Sequence, residues 1–234
     1  MKIALLGYGK MGKVIEKIAI DRGHDVVLKI DKNDKSFDIS KADVAIDFSV
    51  PAAAVGNISM ALNNKVPVIS GTTGWLDQFE EIKILCKKTN GAFIYASNFS
   101  LGVNLFFELN KVLAKIITPF DDYNVQIEET HHTQKQDAPS GTAITLAEGI
   151  ADVSNYKGWT LSPKNEPNKI EIEAKRIENV PGTHKINYGS EIDSIEIIHT
   201  AHNRNGFGLG AVVAAEWIVG KKGIFSMKDV LNIK

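Results

Sequence analysis

The fold prediction rests on Ile3-Ala4-Leu5-Leu6-Gly7-Tyr8-Gly9-Lys10-Met11-Gly12. The four apolar residues at its start predict a short buried strand, and the amphipathic pattern over Met11–Arg22 predicts the helix that follows. The turn between them fits Gly-x-Gly-x-x-Gly: Gly7 allows a tight turn, Gly9 lets the backbone approach a pyrophosphate, and Gly12 allows close helix–strand packing. The strand–turn–helix context therefore predicts a dinucleotide site.

The N-terminus of the predicted helix offers free amides and the positive end of a dipole to phosphates. We expect cofactor contacts along the whole turn, at Gly7, Tyr8, Gly9, Lys10, Met11 and Gly12. Asp31 closes the second predicted strand, where a carboxylate accepts hydrogen bonds from the adenosine ribose. It repels a 2′-phosphate and so favours NADH, but Lys32 follows it and would pair with that phosphate, which leaves NADPH open. A glycine-rich turn without a ligand is the alternative, and the context together with Asp31 argues against it.

Apolar runs alternate with helical patterns through residues 1–101. This alternation predicts parallel strands with right-handed crossovers, hence an α/β domain built on a doubly wound parallel Rossmann-type sheet. After the first strand, the predicted strands are Val26–Ile30, Val44–Phe48, Val66–Ser70 and Phe93–Ala96, and the predicted helices are Met11–Arg22, Ala52–Asn63 and Leu76–Thr89.

The pattern changes after residue 101. Gly102–Ile117 carries a helical stripe, and period-two segments follow around Val125, around Ile170 and, less regularly, over Glu191–Thr200. They predict an inserted α+β domain on a mostly antiparallel open sheet, at residues 102–204, for substrate binding and oligomerisation. Two terminal helical runs predict a return of the chain, so that residues 1–101 and 205–234 form the dinucleotide-binding domain. These runs are Ala211–Val219 and Met227–Leu231.

Composition narrows the class of protein. Of 234 residues, 44% are hydrophobic and 24% charged, which is typical of a soluble globular protein. The net charge of −1 gives no electrostatic basis for a nucleic-acid or membrane partner. Cys86 is the only cysteine, which excludes an internal disulfide and suits a reducing compartment. With no secretory signal and no apolar window of the roughly 20 residues that cross a bilayer, we expect a cytoplasmic protein with a small-molecule substrate.

A small-residue loop, Gly71-Thr72-Thr73-Gly74, follows the fourth predicted strand. In a doubly wound sheet the loops at the carboxyl ends of the strands face the ligand crevice, so we expect cofactor contacts at Gly71, Thr72 and Thr73. A helix N-cap at Thr72 or Thr73 explains the same residues on local grounds, and the two interpretations are compatible.

The densest functional cluster runs from Glu128 to Ala143 and combines two adjacent histidines, a lysine and a Ser-Gly-Thr that leads into a helical run. Ser140 is placed to cap the helical run that follows it, so that the amides of Gly141 and Thr142 would form an anion site. Lys135 adds a positive charge nearby. A carboxylate bound there gains roughly 1.5–3 kcal/mol per charge-assisted hydrogen bond.

The adjacent His131 and His132 point to opposite faces of an extended strand, so we expect one to act as an acid and the other to shape the pocket. Ordinary polar packing of a histidine pair is the alternative; Lys135 and the anion site favour catalysis. No metal site is predicted, because no third histidine, cysteine or carboxylate falls at a convincing ligand spacing.

Five separated blocks resemble the 4-hydroxy-tetrahydrodipicolinate reductase (dihydrodipicolinate reductase) family, in that family's order, and together they span almost the whole chain. The most specific are Ala-Ser-Asn-Phe-Ser and His-His-x-x-Lys-x-Asp-Ala-Pro-Ser-Gly-Thr, since neither is a general feature of Rossmann proteins. The blocks are Gly7–Gly12, Gly71–Gly74, Ala96–Asn104, His131–Thr142 and the run from His199 through Arg204 to Ala211.

The resemblance implies a two-domain enzyme, usually a homotetramer, that reduces a cyclic imine dicarboxylate with NADH or NADPH on the route to diaminopimelate and lysine. It implies that His131 is the catalytic acid/base and Lys135 the catalytic lysine. The implied substrate contacts are His132, Gly141 and Thr142, beside the capping Ser140. The implied cofactor site comprises Gly7–Gly12, Asp31, Gly71, Thr72, Thr73, Ala96, Ser97, Asn98 and Phe99.

Two other hypotheses stay open at this point. One is a different Rossmann dehydrogenase of amino or hydroxy acids, and the other is a catalytically silent dinucleotide-binding sensor. The roles of Arg176, His184 and Arg204 are also open; for Arg204, a salt bridge between domains or subunits explains the residue as well as a substrate contact does.

Overall fold

The structure is a computed structural model that describes residues 1–31, 34, 37–164 and 166–233. It divides into two compact units: a first unit of Met1–Leu101 with Arg204–Lys234, and a second unit of Gly102–Asn203. The dinucleotide-binding, substrate-binding and oligomerisation roles of these units stay predictions. Lys32, the residue expected to pair with a 2′-phosphate, lies outside the described residues.

The first unit contains a six-stranded, all-parallel sheet in the order β2-β1-β3-β4-β5-β11. Its inner strands are buried on both faces, as parallel strands covered by helices are. The predicted doubly wound sheet is therefore confirmed. The strands are β1 (Lys2–Leu6), β2 (Asp25–Ile30), β3 (Val44–Asp47), β4 (Val68–Ser70), β5 (Ala92–Tyr95) and β11 (Gly223–Phe225).

Helices cover both faces of this sheet because its apolar side chains alternate between two cores. Leu5 and Ile46 point into one core, which also contains side chains of α1, α6 and α7. Leu6 and Ala45 point into the other, which is filled by α2 and α3. The helices are α1 (Lys10–Asp21), α2 (Pro51–Asn63), α3 (Phe79–Thr89), α6 (Asn205–Ile218) and α7 (Met227–Val230).

Three predicted bounds in this unit differ from the structure by two residues or more. β4 is shorter than predicted, because Lys65 has a φ of 60° and the chain is still turning before the strand begins at Val68. The helix predicted from Leu76 starts with a short 3-10 turn and becomes α3 only at Phe79. α6 begins at Asn205, well before the predicted start, since the glycines of its first turns carry no apolar pattern.

The sheet order places a topological switch point between β1 and β3. β2 pairs with one side of β1 and β3 with the other, so the chain crosses over between them. In open α/β sheets ligands bind at such a point, beyond the carboxyl ends of the strands. The glycine turn after β1 and the loops after β3 and β4 lie at these ends.

The second unit is built on a five-stranded sheet in the order β10-β9-β6-β8-β7. α4 and α5 pack on one face of it, around Ile127, Ile172 and Ile186. Its elements are α4 (Leu101–Ile117), β6 (Asn124–His131), α5 (Gly141–Ala151), β7 (Trp159–Leu161), β8 (Ile170–Arg176), β9 (Gly182–Gly189) and β10 (Ser194–Ala201). No helix among the described residues is long and apolar enough to cross a membrane.

This second sheet is mixed, which refines the prediction of a mostly antiparallel one. β10–β9 and β9–β6 are antiparallel, whereas β6–β8 and β8–β7 are parallel. α5 carries the chain from the end of β6 back to the start of β7, so that β7 runs in the same direction as β6. The face away from the helices is polar and holds cross-strand ion pairs such as Lys175 with Glu128 at 2.6 Å.

Candidate active site

The glycine turn has the geometry that a dinucleotide requires. Gly7 has a φ of +99°, and a Cβ there would lie 2.2 Å from the Phe48 carbonyl oxygen, so the position requires glycine. Gly9 is the N-cap of α1 and has no side-chain cap. A Cβ on Gly9 would meet no described atom within 4 Å. The space beside the first amides of α1 is therefore open to an incoming phosphate.

Of the side chains in and beside the turn, Tyr8 is held in place by Glu16, whereas two others are exposed. The Tyr8 hydroxyl donates to the Glu16 carboxylate, and Lys29 Nζ lies 2.6 Å from Glu16 Oε1. Lys10 is exposed at the start of α1. Asp31 is exposed at the end of β2, and its amide donates to Asp34 Oδ2 at 2.8 Å. Tyr8 thus supports the turn, while Lys10 and Asp31 face solvent.

A cavity of about 230 Å³ lies at the carboxyl ends of the strands of the first unit. Four residues predicted to bind cofactor line it together with three that sequence reasoning missed. The missed residues follow β3, the strand beside β1, and that adjacency was the signal that could have identified them. The lining is Met11, Gly71, Thr72 and Thr73 from the prediction, with Phe48, Ser49 and Pro51 added.

A buried carboxylate organises this end of the sheet. Asp47 is fully buried at the end of β3. It accepts hydrogen bonds from Ser49 Oγ at 2.7 Å, Asn57 Nδ2 at 2.9 Å and Ser70 Oγ at 2.8 Å. The Ser49 amide in turn donates to Thr72 Oγ1 at 2.8 Å. Asp47 therefore ties the loop after β3 to the loop after β4.

The segment after β5 also meets this end of the sheet. The Ala96 amide donates to the Ser70 carbonyl at 3.2 Å. Asn98 Oδ1 accepts from the Ser100 amide at 2.9 Å, and Ser97 is exposed. Phe99, however, is only 1% exposed and packs in the core. Its ring therefore supports the segment from beneath, and the predicted cofactor contact at Phe99 stays a prediction.

In the second unit, strand register assembles a second cluster around Glu129. Glu129 on β6 lies opposite His184 on β9, and His131 on β6 lies beside Arg176 on β8. Glu129 is fully buried. Its Oε1 accepts from Arg176 Nη2 at 3.1 Å and its Oε2 accepts from the Ser140 amide at 3.0 Å. The carboxylate thus joins two strands to the start of α5.

Two histidines face the same carboxylate oxygen. His131 Nδ1 lies 3.6 Å and His184 Nε2 lies 3.7 Å from Glu129 Oε2. His184 Nε2 is also 3.1 Å from Ser140 Oγ, which accepts from the Ala143 amide at 3.2 Å. Ser140 is therefore the N-cap of α5, as predicted from the sequence.

The loop between β6 and α5 is held by the guanidinium of Arg176. Nε donates to the Lys135 carbonyl at 3.2 Å, and Nη2 donates to the Asp137 carbonyl at 2.6 Å. The ammonium of Lys135 lies 2.8 Å from both carboxylate oxygens of Asp137. The ammonium of Lys135 is therefore already paired with a carboxylate of its own loop.

The remaining predicted substrate residues lie near this loop. His132 is half-buried, and within the described part of the chain its Nδ1 has no hydrogen-bond partner. Gly141 is exposed, and a Cβ there would meet no described atom within 4 Å. Thr142 is half-buried in the first turn of α5. The start of α5 is thus open to a ligand.

The electrostatics of the cluster define its protonation state. Burial raises the pKa of Glu129, but its interactions with His184 and Ser140 outweigh burial and lower that pKa to about 2. Burial lowers the pKa of His131, and positive charge on His184, Lys135 and Arg176 outweighs Glu129, so that this pKa falls to about 4. Glu129 is therefore an anion and His131 a neutral imidazole at neutral pH.

Glu129, His131 and His184 also offer one potential metal-ligand atom each, all within 4.8 Å of one another. Sequence spacing did not predict this grouping, which depends on strand register. Both carboxylate oxygens already accept hydrogen bonds from Arg176 and Ser140. These donors explain the cluster without a cation, and we propose no metal there.

Comparison with known proteins gives a consistent result along the chain. Residues 1–99 match the family model described as dihydrodipicolinate reductase, N-terminus, and residues 102–231 match dihydrodipicolinate reductase, C-terminus. A 4-hydroxy-tetrahydrodipicolinate reductase of Christiangramia forsetii is 57% identical over 99% of this chain and 98% of that protein. One of Caldanaerobacter subterraneus subsp. tengcongensis is 36% identical over 96% of this chain and 95% of that protein.

A solved structure extends the similarity to the fold. The dipicolinate-bound dihydrodipicolinate reductase of Paenisporosarcina sp. TG-14 superposes with a TM-score of 0.79 at 25% identity. The match covers 100% of this chain and 99% of that one. Sequence and fold thus point to the same family over both units.

Proposed function

Because the chain belongs to the dihydrodipicolinate reductase family, we propose that His131 protonates, and Lys135 binds, the cyclic dicarboxylate that this family reduces. The protein is an NAD(P)H-dependent oxidoreductase that reduces 4-hydroxy-tetrahydrodipicolinate to tetrahydrodipicolinate in the diaminopimelate route to lysine. The observation that carries the residue assignment is the assembly of His131, the loop of Lys135 and the Ser140 cap around the buried carboxylate of Glu129.

The first unit offers the cofactor an open phosphate site. The space beside Gly9 and the cavity between Met11 and Thr73 fit a dinucleotide at the carboxyl ends of the strands. When bound, the nicotinamide supplies the hydride. We propose that the exposed carboxylate of Asp31 accepts the ribose hydroxyls and favours NADH, with NADPH also used.

The substrate carries two carboxylates, and the loop between β6 and α5 offers cationic and amide donors to them. In this proposal Lys135 exchanges Asp137 for a substrate carboxylate, which also accepts from the amides of Gly141 and Thr142. His132 lines the same pocket. Each charge-assisted hydrogen bond contributes roughly 1.5–3 kcal/mol.

The ring gains a hydride at C4 and a proton at C3 after water has left it. His131 is neutral in the free protein, so it must first take up a proton. The negative charges of the bound dicarboxylate raise its pKa and favour the imidazolium. That imidazolium then gives its proton to C3, directly or through a water molecule. The proton neutralises the negative charge that hydride addition leaves on the ring.

We further propose a cytoplasmic homotetramer. The small-molecule substrate and single buried Cys86 suit a reducing compartment. The polar face of the five-stranded sheet, which carries Glu128 and Lys175, offers a surface for assembly. Mass measurement in solution tests the subunit count.

One assay tests the function. The purified protein is mixed with NADH and the freshly generated condensation product of pyruvate and aspartate semialdehyde, and nicotinamide absorbance is followed. Rapid, substrate-dependent oxidation is expected. Cofactor binding without oxidation would instead indicate a silent dinucleotide sensor, and oxidation only with other amino or hydroxy acid partners would indicate a different dehydrogenase.

A further inference from the structure

We propose that Glu129 is a positioning residue for the reduction: it anchors the substrate loop and holds a negative charge beside His131, so that His131 takes up a proton when a dianionic ligand binds. The inference rests on the proposed function, because it concerns the acid assigned there. The sequence places Glu129 in the densest functional cluster but assigns it no role, and both roles are argued from the structure.

The anchoring role follows from the contacts of the two carboxylate oxygens. Oε2 accepts from the Ser140 amide at 3.0 Å, at the cap of α5. Oε1 accepts from Arg176, whose guanidinium also binds the carbonyls of Lys135 and Asp137 at 3.2 and 2.6 Å. Glu129 thereby fixes the loop that presents Lys135 in its middle, through Arg176, and at its end, through Ser140.

The charged groups facing His131 come from every element around it. Lys135 lies on the loop, Arg176 ends β8, and His184 on β9 has its ring centroid 5.1 Å from that of His131. Each of these three groups lowers the pKa of His131. Glu129, on the same strand, supplies the negative charge that favours a proton on His131.

The distance between Glu129 and His131 suits a bond that forms on protonation. Nδ1 of His131 lies 3.6 Å from Oε2, just beyond hydrogen-bond range, and has no hydrogen-bond partner among the described residues. A shift of a few tenths of an ångström would make a charge-assisted hydrogen bond once Nδ1 carries a proton. Glu129 therefore favours the imidazolium, against the burial and the positive charges that keep His131 neutral in the free protein.

Proton uptake on ligand binding tests this without turnover. Pyridine-2,6-dicarboxylate (dipicolinate) is titrated into the protein by calorimetry near pH 6, in buffers of different ionisation enthalpy. We expect the wild type to take up about one proton per site, since a neutral His131 becomes charged. Glu129→Gln should lose at least half of that uptake. Glu128→Gln is the matched control, because Glu128 neighbours it on β6 but pairs with Lys175 on the outer face.

The pH dependence of kcat gives an independent readout. An opposite charge within about 4–6 Å raises a histidine pKa by roughly 1–3 units. Glu129→Gln should therefore move the alkaline limb of the kcat profile to lower pH, by about one pH unit. Glu129→Asp, which keeps the charge, should restore part of the shift. His184→Gln removes a group that lowers the pKa of His131, so the alkaline limb should move to higher pH. This variant still tests the inference if Glu129→Gln does not fold.

Unchanged proton uptake and an unchanged pH profile in a folded Glu129→Gln variant would overturn the inference while leaving the reductase function intact. Equal losses in Glu128→Gln and Glu129→Gln would overturn it too, since the effect would then not depend on facing His131. If the wild type fails to oxidise NADH, it is the proposed function that fails, and dipicolinate-linked proton uptake still reports on Glu129 alone.

Discussion

Lys135 Nζ lies 2.8 Å from both carboxylate oxygens of Asp137, two residues further along the chain. The lysine is largely covered, whereas the Asp137 side chain is 61% exposed. The pair therefore holds the ammonium in place, and if Lys135 binds the substrate as proposed, Asp137 competes with the substrate for it. Ion pairs of this exposure are worth about 0.2–1 kcal/mol.

Replacing Asp137 should consequently tighten substrate binding. In Asp137→Asn the ammonium of Lys135 is unpaired, so we expect KM for the dicarboxylate and Kd for dipicolinate to fall roughly 2–5-fold, which corresponds to that energy. Steady-state kinetics and calorimetry measure both. Asp152→Asn, which removes a 3.8 Å partner of Lys111 elsewhere in the second unit, should change neither.

The opposite change at the lysine completes this test. Lys135→Ala should raise KM and lower kcat together, because it removes binding as well as charge stabilisation. Weaker binding in Asp137→Asn would show that Asp137 orients Lys135 for the substrate and does not compete with it.

Loss of the imidazole should affect turnover far more than binding. A general acid contributes about 10²–10⁴-fold, so His131→Ala should reduce kcat by that factor with little change in KM. Single-turnover kinetics with NADH separate this step from product release. A kcat within about twofold of the wild type would remove His131 from the role of acid.

The depressed pKa of His131 predicts a loss of stability in mild acid. Its pKa is 6.5 ordinarily and about 4 in the folded protein, so the unfolded chain binds the proton first as the pH falls from 6.5 towards 4. The folded state should lose about 1.5 kcal/mol between pH 6.5 and 5 from this group. Below pH 4.5 the lowered pKa of Glu129 adds a second loss that continues towards pH 2.

Urea unfolding at pH 6.5 and 5 measures the first of these losses. His131→Asn should show a smaller decrease in the free energy of unfolding between the two pH values than the wild type. His202→Asn, which changes an exposed histidine, should keep the wild-type decrease. Equal decreases in all three proteins would mean that His131 is not held neutral by the fold.

The buried carboxylate of Asp47 should support both stability and cofactor binding. Asp47→Ala leaves the donors of Ser49, Asn57 and Ser70 without their acceptor, at a cost of about 1–3 kcal/mol for a buried unsatisfied group. We expect a lower melting temperature and a higher Kd for NADH, because the loop after β3 loosens. Asp43→Ala, at the exposed start of that strand, is the control; matching effects there would argue against a specific role for Asp47.

The cofactor preference should respond to Asp31. Asp31→Ser removes the charge that opposes a 2′-phosphate, so kcat/KM for NADPH relative to NADH should rise roughly tenfold, equivalent to about 1.4 kcal/mol. Initial rates with each cofactor give the ratio. An unchanged ratio would assign cofactor choice to other residues.

The sequence predicted the elements whose patterns are local. The glycine turn, the five strands of residues 1–101 and the Ser140 cap each depend on neighbours within a few residues, and the structure contains them. β7 and β11 were missed because three residues are too few to display a period. β9 was missed because His184 and the glycines at its ends interrupt the apolar alternation that marks a buried strand.

The site was predictable only in part, for a related physical reason. The motif places His131, Lys135 and Ser140 on one continuous segment, so their proximity is local. The partnership of Glu129 with Arg176 and His184 depends on the pairing register of three strands, which no local pattern specifies. The position of Phe48 and Ser49 in the lining of the first unit's cavity likewise depends on β3 lying beside β1.

The order in which the chain is made has a consequence for how the molecule matures. β11 completes the parallel sheet beside β5, and α6 fills one of its two cores, yet both are translated after the whole of the second unit. Until α6 and β11 have been translated, nascent Met1–Leu101 therefore has an uncovered sheet edge and an exposed apolar face. Gly102–Asn203 is contiguous in sequence and can fold as soon as it emerges from the ribosome. We expect ribosome-bound chains that end near residue 203 to protect the second unit from protease and to leave the first unit a client for chaperones.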